Sequence, residues 1–153
     1  MVISMERTDR NRQGEDRREL RDFGPEPLVI NIDRAAGMNP NYRTALWTGH
    51  DLQVTLMSIP VGGDIGLEKH DDLDQFIRIE NGLAAVMMGR HKNALDTRRR
   101  IDGSFAVIIP AGTWHNIVNI GNTPLKLYSV YAPPKHPFGT VHRTKADAEA
   151  AEH

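Results

Sequence analysis

The chain predicts an all-β domain, an antiparallel barrel or sandwich, on three observations. From Pro25 onward short apolar runs recur at regular spacing. Clusters of Gly, Asn and Pro separate them, and short runs bounded by turn residues read as strands. A length of 153 residues fits one domain with a modest core and leaves no room for a second.

The elements follow in order. Residues 6–22 hold six Arg and six acidic residues but a single aliphatic side chain, Leu20. So little apolar area cannot offset ordering entropy, which predicts a flexible arm or a frayed, solvated helix over residues 1–24. The pairs Glu15/Glu19 and Arg17/Arg21 have helical spacing but like charge, and add no support. Strands are then expected at Leu28–Ile32, Arg43–Trp47, Leu52–Ile59, Gln75–Ile79, Leu83–Met88, Phe105–Ile109, Asn116–Ile120 and Leu125–Tyr131, which places the barrel at 25–143. The breaks fall at Gly49–Asp51, Pro60–Gly63, Glu80–Gly82 and Gly121–Pro124. Arg98-Arg99-Arg100 has no flanking aromatics and reads as a solvated hairpin arm. Thr144 is a plausible N-cap for an alanine-rich terminal helix over 144–153.

Composition excludes several classes of function. A formal net charge of −1 with interspersed signs argues against nucleic-acid and membrane-surface partners. No apolar run approaches the length of a membrane span, and the N-terminus is too charged for a signal peptide. With no cysteine there is no disulfide, no thiolate chemistry and no Cys-type zinc site. Cytoplasm is the expected compartment.

Two patterns carry the chemistry. The first runs from Gly62 through five residues to Glu68-Lys69-His70, then four residues to Gln75 and six more to Gly82. The second is Pro110-Ala111-Gly112-Thr113-Trp114-His115, closed by Asn119. On a strand, side chains at i and i+2 share a face, so Glu68 and His70 can meet one metal while Lys69 points away. The acidic turn Asp71–Asp74 reverses the chain, and Gln75 opens the next strand beside them. Pro110 and Gly112 make a tight turn that delivers His115 from a third strand. Two imidazoles and a carboxylate suit Fe(II), Mn(II), Ni(II) or Zn(II). Gln75 adds a neutral oxygen, either as a ligand itself or by hydrogen-bonding a ligand or a bound water. Octahedral coordination leaves two positions for water or a bidentate substrate. Asn119 reads as a stabiliser of the turn before Gly121, and Trp114, Phe76, Met57, Met87 and Met88 read as packing residues.

These residues resemble the cupin superfamily. Its first motif is Gly-x5-His-x-His-x3–4-Glu-x6-Gly and its second Gly-x5-Pro-x-Gly-x2-His-x3-Asn. The chain keeps Gly62, Gly82 and every spacing of the first. Of the second it keeps Pro110, Gly112, His115 and Asn119, with Gly103 one residue further from the proline than usual. The resemblance covers roughly residues 40–134. It implies a double-stranded β-helix (jelly-roll) barrel with a divalent metal inside. Within the superfamily the chain is similar to small bacterial members of the mannose-6-phosphate isomerase-like group, in the run Tyr128–His136 and on through His142. Glu68 stands where the first histidine is usual and Gln75 where the glutamate is usual, so the carboxylate has moved rather than vanished. The exchange of an imidazole for a hard oxygen tilts preference from copper toward Mn, Fe or Zn.

The resemblance puts the substrate in the barrel mouth above the metal. Tyr128 or Tyr131, whichever points inward by alternation, is then a candidate general acid or hydrogen-bond donor. His136, with Lys135 and His142, follows the last strand and can fold over the mouth to bind an anion, and Arg43 is another anion contact. The resemblance favours a metal-dependent enzyme on a small polar or carbohydrate-like substrate, a sugar or sugar-phosphate isomerase-like reaction through an enediolate. An Fe(II)-dependent dioxygenase and a non-catalytic sugar- or metabolite-binding module are the alternatives. Exposed sheet edges and an apolar outer face predict a homodimer, to which Phe76 and Arg78 contribute if Gln75 points inward.

Overall fold

Antiparallel pairing organises the chain from residue 43 onward. The structure is a computed structural model and describes residues 19–152. In chain order these form helix α1 (Ile32–Met38), then strands β1 (Arg43–Thr48), β2 (Gln53–Ile59), β3 (Asp74–Asn81) and β4 (Ala84–Gly89). Next come β5 (Thr97–Ile101), β6 (Ala106–Ile109), β7 (Trp114–Asn119), β8 (Leu125–Ala132), β9 (Val141–His142) and helix α2 (Lys145–Ala151). One sheet has the order β6-β3-β8-β2-β1-β9, the other β5-β4-β7. The predicted all-β architecture with a short terminal helix is what the chain adopts.

The core lies between the sheets and is filled by every second residue of each strand. Met57 and Ile59 face inward from β2, Ile77 and Ile79 from β3, and Leu125 and Leu127 from β8. Ala84, Val86 and Ile117 meet them from the smaller sheet. Burying each large side chain is worth roughly 1.5–3 kcal/mol, which fixes the strand register because a one-residue slip would turn every one outward. Met57 is core as expected, and Met88 packs against the core from its rim.

A second apolar cluster covers the outer face of the large sheet. Ala35 and Ala36 of α1 pack on Leu46 and Leu56, with Leu20, Phe23, Ile30, Ile32, Val54 and Tyr128 around them. This corrects two expectations. The Leu28–Ile32 strand is absent. Residues 28–31 have no regular structure, and the Asn31 side chain accepts from the Arg34 N–H (3.1 Å) to cap a helix instead. A short alternating apolar run cannot separate the two outcomes. Part of the predicted arm is also packed: Phe23 donates its N–H to the Leu46 carbonyl (2.9 Å), and the Asp22 carboxylate accepts from Thr48 and the Gly139 N–H. The rest of the arm, residues 1–18, lies outside the described residues.

Arg98, Arg99 and Arg100 form the exposed part of β5, paired antiparallel with β4, so they sit on a solvated hairpin arm. Arg99 stacks over the Phe105 ring (5.2 Å to the centroid), and the three charges shield a sheet edge from further pairing. At the C-terminus Thr144 caps α2 by accepting from the Asp147 N–H (3.1 Å). Lys145 ion-pairs with Asp64 and Ala148 joins the core, which holds α2 against the barrel.

Candidate metal centre

The segment 63–70 runs in extended form beside β7, and that placement builds the site. Ile65 N–H donates to Ile117 O (3.0 Å), and Glu68 and His115 exchange both backbone hydrogen bonds (3.0 and 2.9 Å). The Gly112 N–H then donates to His70 O (2.7 Å), made possible by a positive φ of 82° at Gly112 in the turn after Pro110. Glu68 and His70 therefore share a face next to His115, as two-residue alternation requires.

The side chains converge. One donor atom each from Glu68, His70 and His115 lies within 4.8 Å of the others. Glu68 Oε1 is 3.3 Å from His115 Nε2 and 3.3 Å from His70 Nε2. The His70 contact lacks hydrogen-bond geometry, leaving that buried nitrogen without a hydrogen-bond partner. His115 Nδ1 sits 3.0 Å from Thr113 O, which can only accept, so Nδ1 carries a proton and Nε2 is the nitrogen turned toward Glu68. A carboxylate oxygen and two imidazole nitrogens this close together call for a proton or a metal ion among them. The donor set thus fits a divalent metal ion. Burial alone would raise Glu68, but its close contacts with His115 and His70 outweigh it and hold its pKa down to about 2.

Gln75 points into the barrel from β3, 4% exposed. Its Nε2 donates to Ser129 Oγ (2.9 Å), and Oε1 is buried with no partner. That oxygen is an available acceptor or ligand. Tyr131, opposite Gln75 in register, also faces inward; its ring lies edge-on to His70 at 6.2 Å and to His136 at 5.2 Å. Burial raises the Tyr131 pKa against the opposing charge of Arg43, and Ser129 and Arg43 both hydrogen-bond the phenol. His136 is pushed down to about 3 by burial and then by Arg43, and His142 is lowered by the same two causes.

Tyr128 does not belong to this group. It faces the opposite side of β8, against Phe76 (ring centroids 6.3 Å apart) and the α1 cluster. Of the two tyrosines, alternation places only Tyr131 inside. Phe76 and Arg78 share that outer face, opposite Gln75. Lys135 is exposed, and Trp114 is half-buried between Lys69 and Lys92, whose amines lie 5.4 and 5.5 Å from its ring. Asn119 is a turn residue: its amide donates to Ile59 O (3.0 Å) and Thr123 O (2.9 Å) and accepts from the Gly121 N–H (3.0 Å).

Gln53 is a site residue that sequence reasoning missed. Fully buried, it accepts from the Lys135 and His136 N–H groups (3.2 and 2.9 Å) and donates to His136 O (2.8 Å). It thereby holds the segment after β8 across the barrel, with His136 over Tyr131. Thr55 and Ser129 are buried on the same inner face. The signal for all three was a polar residue at an inward position of an apolar run. His136 and His142 line a recess of about 450 Å³ beside α2, and Tyr42 and Arg43 line one of about 180 Å³. A recess of about 760 Å³ between the end of β7 and the start of β8 is lined by Glu80 and Asp102 but by none of Glu68, His70, Gln75 and His115.

Residues 55–131 match the Cupin domain family, just over half of the chain. The uncharacterized protein YrkC of Bacillus subtilis (strain 168) is 61% identical over 133 residues, covering 87% of this chain and 72% of YrkC. This chain is a cupin. Protein L612 of Acanthamoeba polyphaga mimivirus is 42% identical over 114 residues, 74% of this cupin and 69% of its own length. The crystal structure of BH2720 from Bacillus halodurans superposes with a TM-score of 0.85 at 56% identity, covering 86% of this cupin and 99% of BH2720. KdgF from Halomonas shares the fold alone, with a TM-score of 0.55 at 18% identity. The barrel is therefore the double-stranded β-helix of the cupins. No helix among the described residues is long and apolar enough to cross a membrane.

Proposed function

We propose that this cupin is a metal-dependent enzyme acting on a small polar, carbohydrate-like substrate in an isomerase-like reaction. One observation carries the reading: Glu68, His70 and His115 converge inside the barrel, and buried polar groups such as Gln75 Oε1 have no partner among the described residues. Mn, Fe or Zn held by those three residues, with Gln75 Oε1 available beside them, would supply Lewis-acid polarisation of a substrate oxygen.

The chain's own groups divide the remaining work. Glu68, His70 and His115 set one negative charge against the divalent ion, leaving a site attractive to oxygen donors. Tyr131 keeps its proton, because burial raises its pKa, and is placed to donate a hydrogen bond or a proton. His136 stays neutral with Nε2 buried and unpartnered, so it offers a hydrogen bond without competing for the metal's charge. Gln53 and Ser129 hold His136, Gln75 and Tyr131 in position.

A second reading, an Fe(II)-dependent dioxygenase, is favoured by the same two-histidine, one-carboxylate set. Metal analysis of protein purified without added metal tests both. About one ion per chain is expected, lost in Glu68→Ala and His115→Ala while circular dichroism stays that of a folded barrel. Manganese or zinc without oxygen uptake supports the isomerase-like reading, and iron with substrate-dependent oxygen uptake supports the dioxygenase. A metal-free chain, or unchanged content in both variants, leaves a non-catalytic binding module.

A further inference from the structure

We propose that Arg43 is a carboxylate anchor, and that the substrate is a small hydroxy or oxo acid. On the metal side this rests on the reading above; on the arginine side it stands alone.

Arg43 is a buried cation, 6% exposed, with no direct ion-pair partner among the described residues; Glu149 and Glu152 line the same recess without reaching it. Its Nη1 donates to His142 Nδ1 (3.1 Å), an acceptor only in the neutral imidazole. Its other contacts are the Tyr131 phenol and the face of Tyr42, 5.4 Å from the guanidinium carbon. None of these is an anion. Burying a charge without a partner is unfavourable, so such an arginine is expected where a ligand supplies the counter-charge.

The free part of the guanidinium has a specific shape. Arg43 Nε is buried and makes no hydrogen bond. An Nε–H beside a terminal N–H forms the flat edge that takes both oxygens of a carboxylate at once. A phosphate is a poorer fit. It wants several donors around it, whereas Lys135 is exposed and Lys145, which lines the recess with Arg43, is already ion-paired with Asp64.

Other unpartnered groups suit the rest of such a molecule. Thr55 Oγ1, Gln75 Oε1 and His136 Nε2 are each buried without a partner, on β2, β3 and the segment after β8. Gln75 Oε1 can accept from a hydroxyl, and the Thr55 hydroxyl can donate to a hydroxyl or keto oxygen. Tyr131 links the two ends, since its phenol bonds Arg43 and its ring edges His70. Glu68 cannot neutralise Arg43, being engaged with His70 and His115. Burial and the charge of Arg43 keep His136 and His142 neutral, so they neither compete with nor repel an anion.

The test is isothermal titration of malonate, glycerate, glycerol and inorganic phosphate into metal-loaded and chelator-treated protein, with metal content measured in parallel. Malonate and glycerate are expected to bind at least tenfold more tightly than glycerol or phosphate. Arg43→Gln should weaken both acids at least tenfold, keep the wild-type metal content and melt no lower than wild type without ligand. Arg43→Lys, which keeps the charge but not the fork, should fall between, and it decides the matter if Arg43→Gln does not fold. Equal malonate affinity in wild type and the folded variants, or a preference for glycerol or phosphate, overturns the anchor. Arg43-dependent malonate binding to a chain that holds no metal keeps the anchor and sinks the metal reading. Bound metal with no Arg43 dependence does the reverse.

Discussion

His136 shows how one buried side chain makes stability depend on pH. Its pKa is lowered from 6.5 to about 3, first by burial and then by the charge of Arg43. The unfolded chain takes up a proton near pH 6.5, while the native site resists until about pH 3. Its contribution is therefore complete above pH 6.5 and lost as pH falls through that window, with a slope of at most ~1.4 kcal/mol per pH unit. Partial exposure should make the real slope smaller. Urea midpoints of metal-free protein from pH 7.5 to 5 should fall less steeply in His136→Asn than in wild type. Parallel lines for the two proteins would show that His136 is not the group responsible. Residues of this kind were only partly legible in the sequence. Glu68, His70, Gln75 and His115 could be picked out because their spacing is local to one loop and one turn. Arg43 and His142 meet across 99 positions, and only the β1–β9 pairing brings them together. Gln53, Thr55 and Ser129 were missed because a polar residue inside an apolar run is ambiguous until its inward direction is known.

Among the elements, the strands were readable because burial repeats every second residue along them. Helix α1 was not, since Leu28, Ile30 and Ile32 alternate as a strand would. The cap at Asn31 and the fit of Ala35 and Ala36 against Leu46 and Leu56 decided the outcome. β5 was obscured by its three arginines, a composition suited to an edge rather than a core. The turn from β7 into β8 is readable and also testable. Asn119, 2% exposed, satisfies two backbone carbonyls and one N–H through a single side chain. Alanine there leaves those groups buried without partners, so Asn119→Ala should cost about 3 kcal/mol in urea unfolding with an unchanged m-value. The exposed neighbour Asn122 is the control, and Asn122→Ala should stay within about 0.5 kcal/mol of wild type. A loss below about 1 kcal/mol in Asn119→Ala would mean that water or a shifted backbone replaces the amide.

For the whole molecule the open matter is assembly, and the outer face of the large sheet suggests how it proceeds. α1 and residues 20–32 cover that face around Leu46, Leu56 and Val54. The row Ile108, Phe76, Val130 and Val54 continues across β6, β3, β8 and β2 in register. Its far end, Ile108, is 68% exposed on the edge strand β6. An unpaired strand edge carrying an apolar residue invites a second copy, and a two-fold axis would let two β6 edges meet with both Ile108 side chains buried. A homodimer is therefore the expected state, with a sedimentation-equilibrium mass of twice the 17.2 kDa of one chain. Ile108→Lys places a charge on each side of that contact and should shift the mass to that of a monomer at micromolar concentration. Ile108 points to the outer face, opposite the inward Ile109 that pairs with Gln75, so metal content should not change. A wild-type monomer removes the expectation, and a dimer that survives Ile108→Lys moves the interface away from β6.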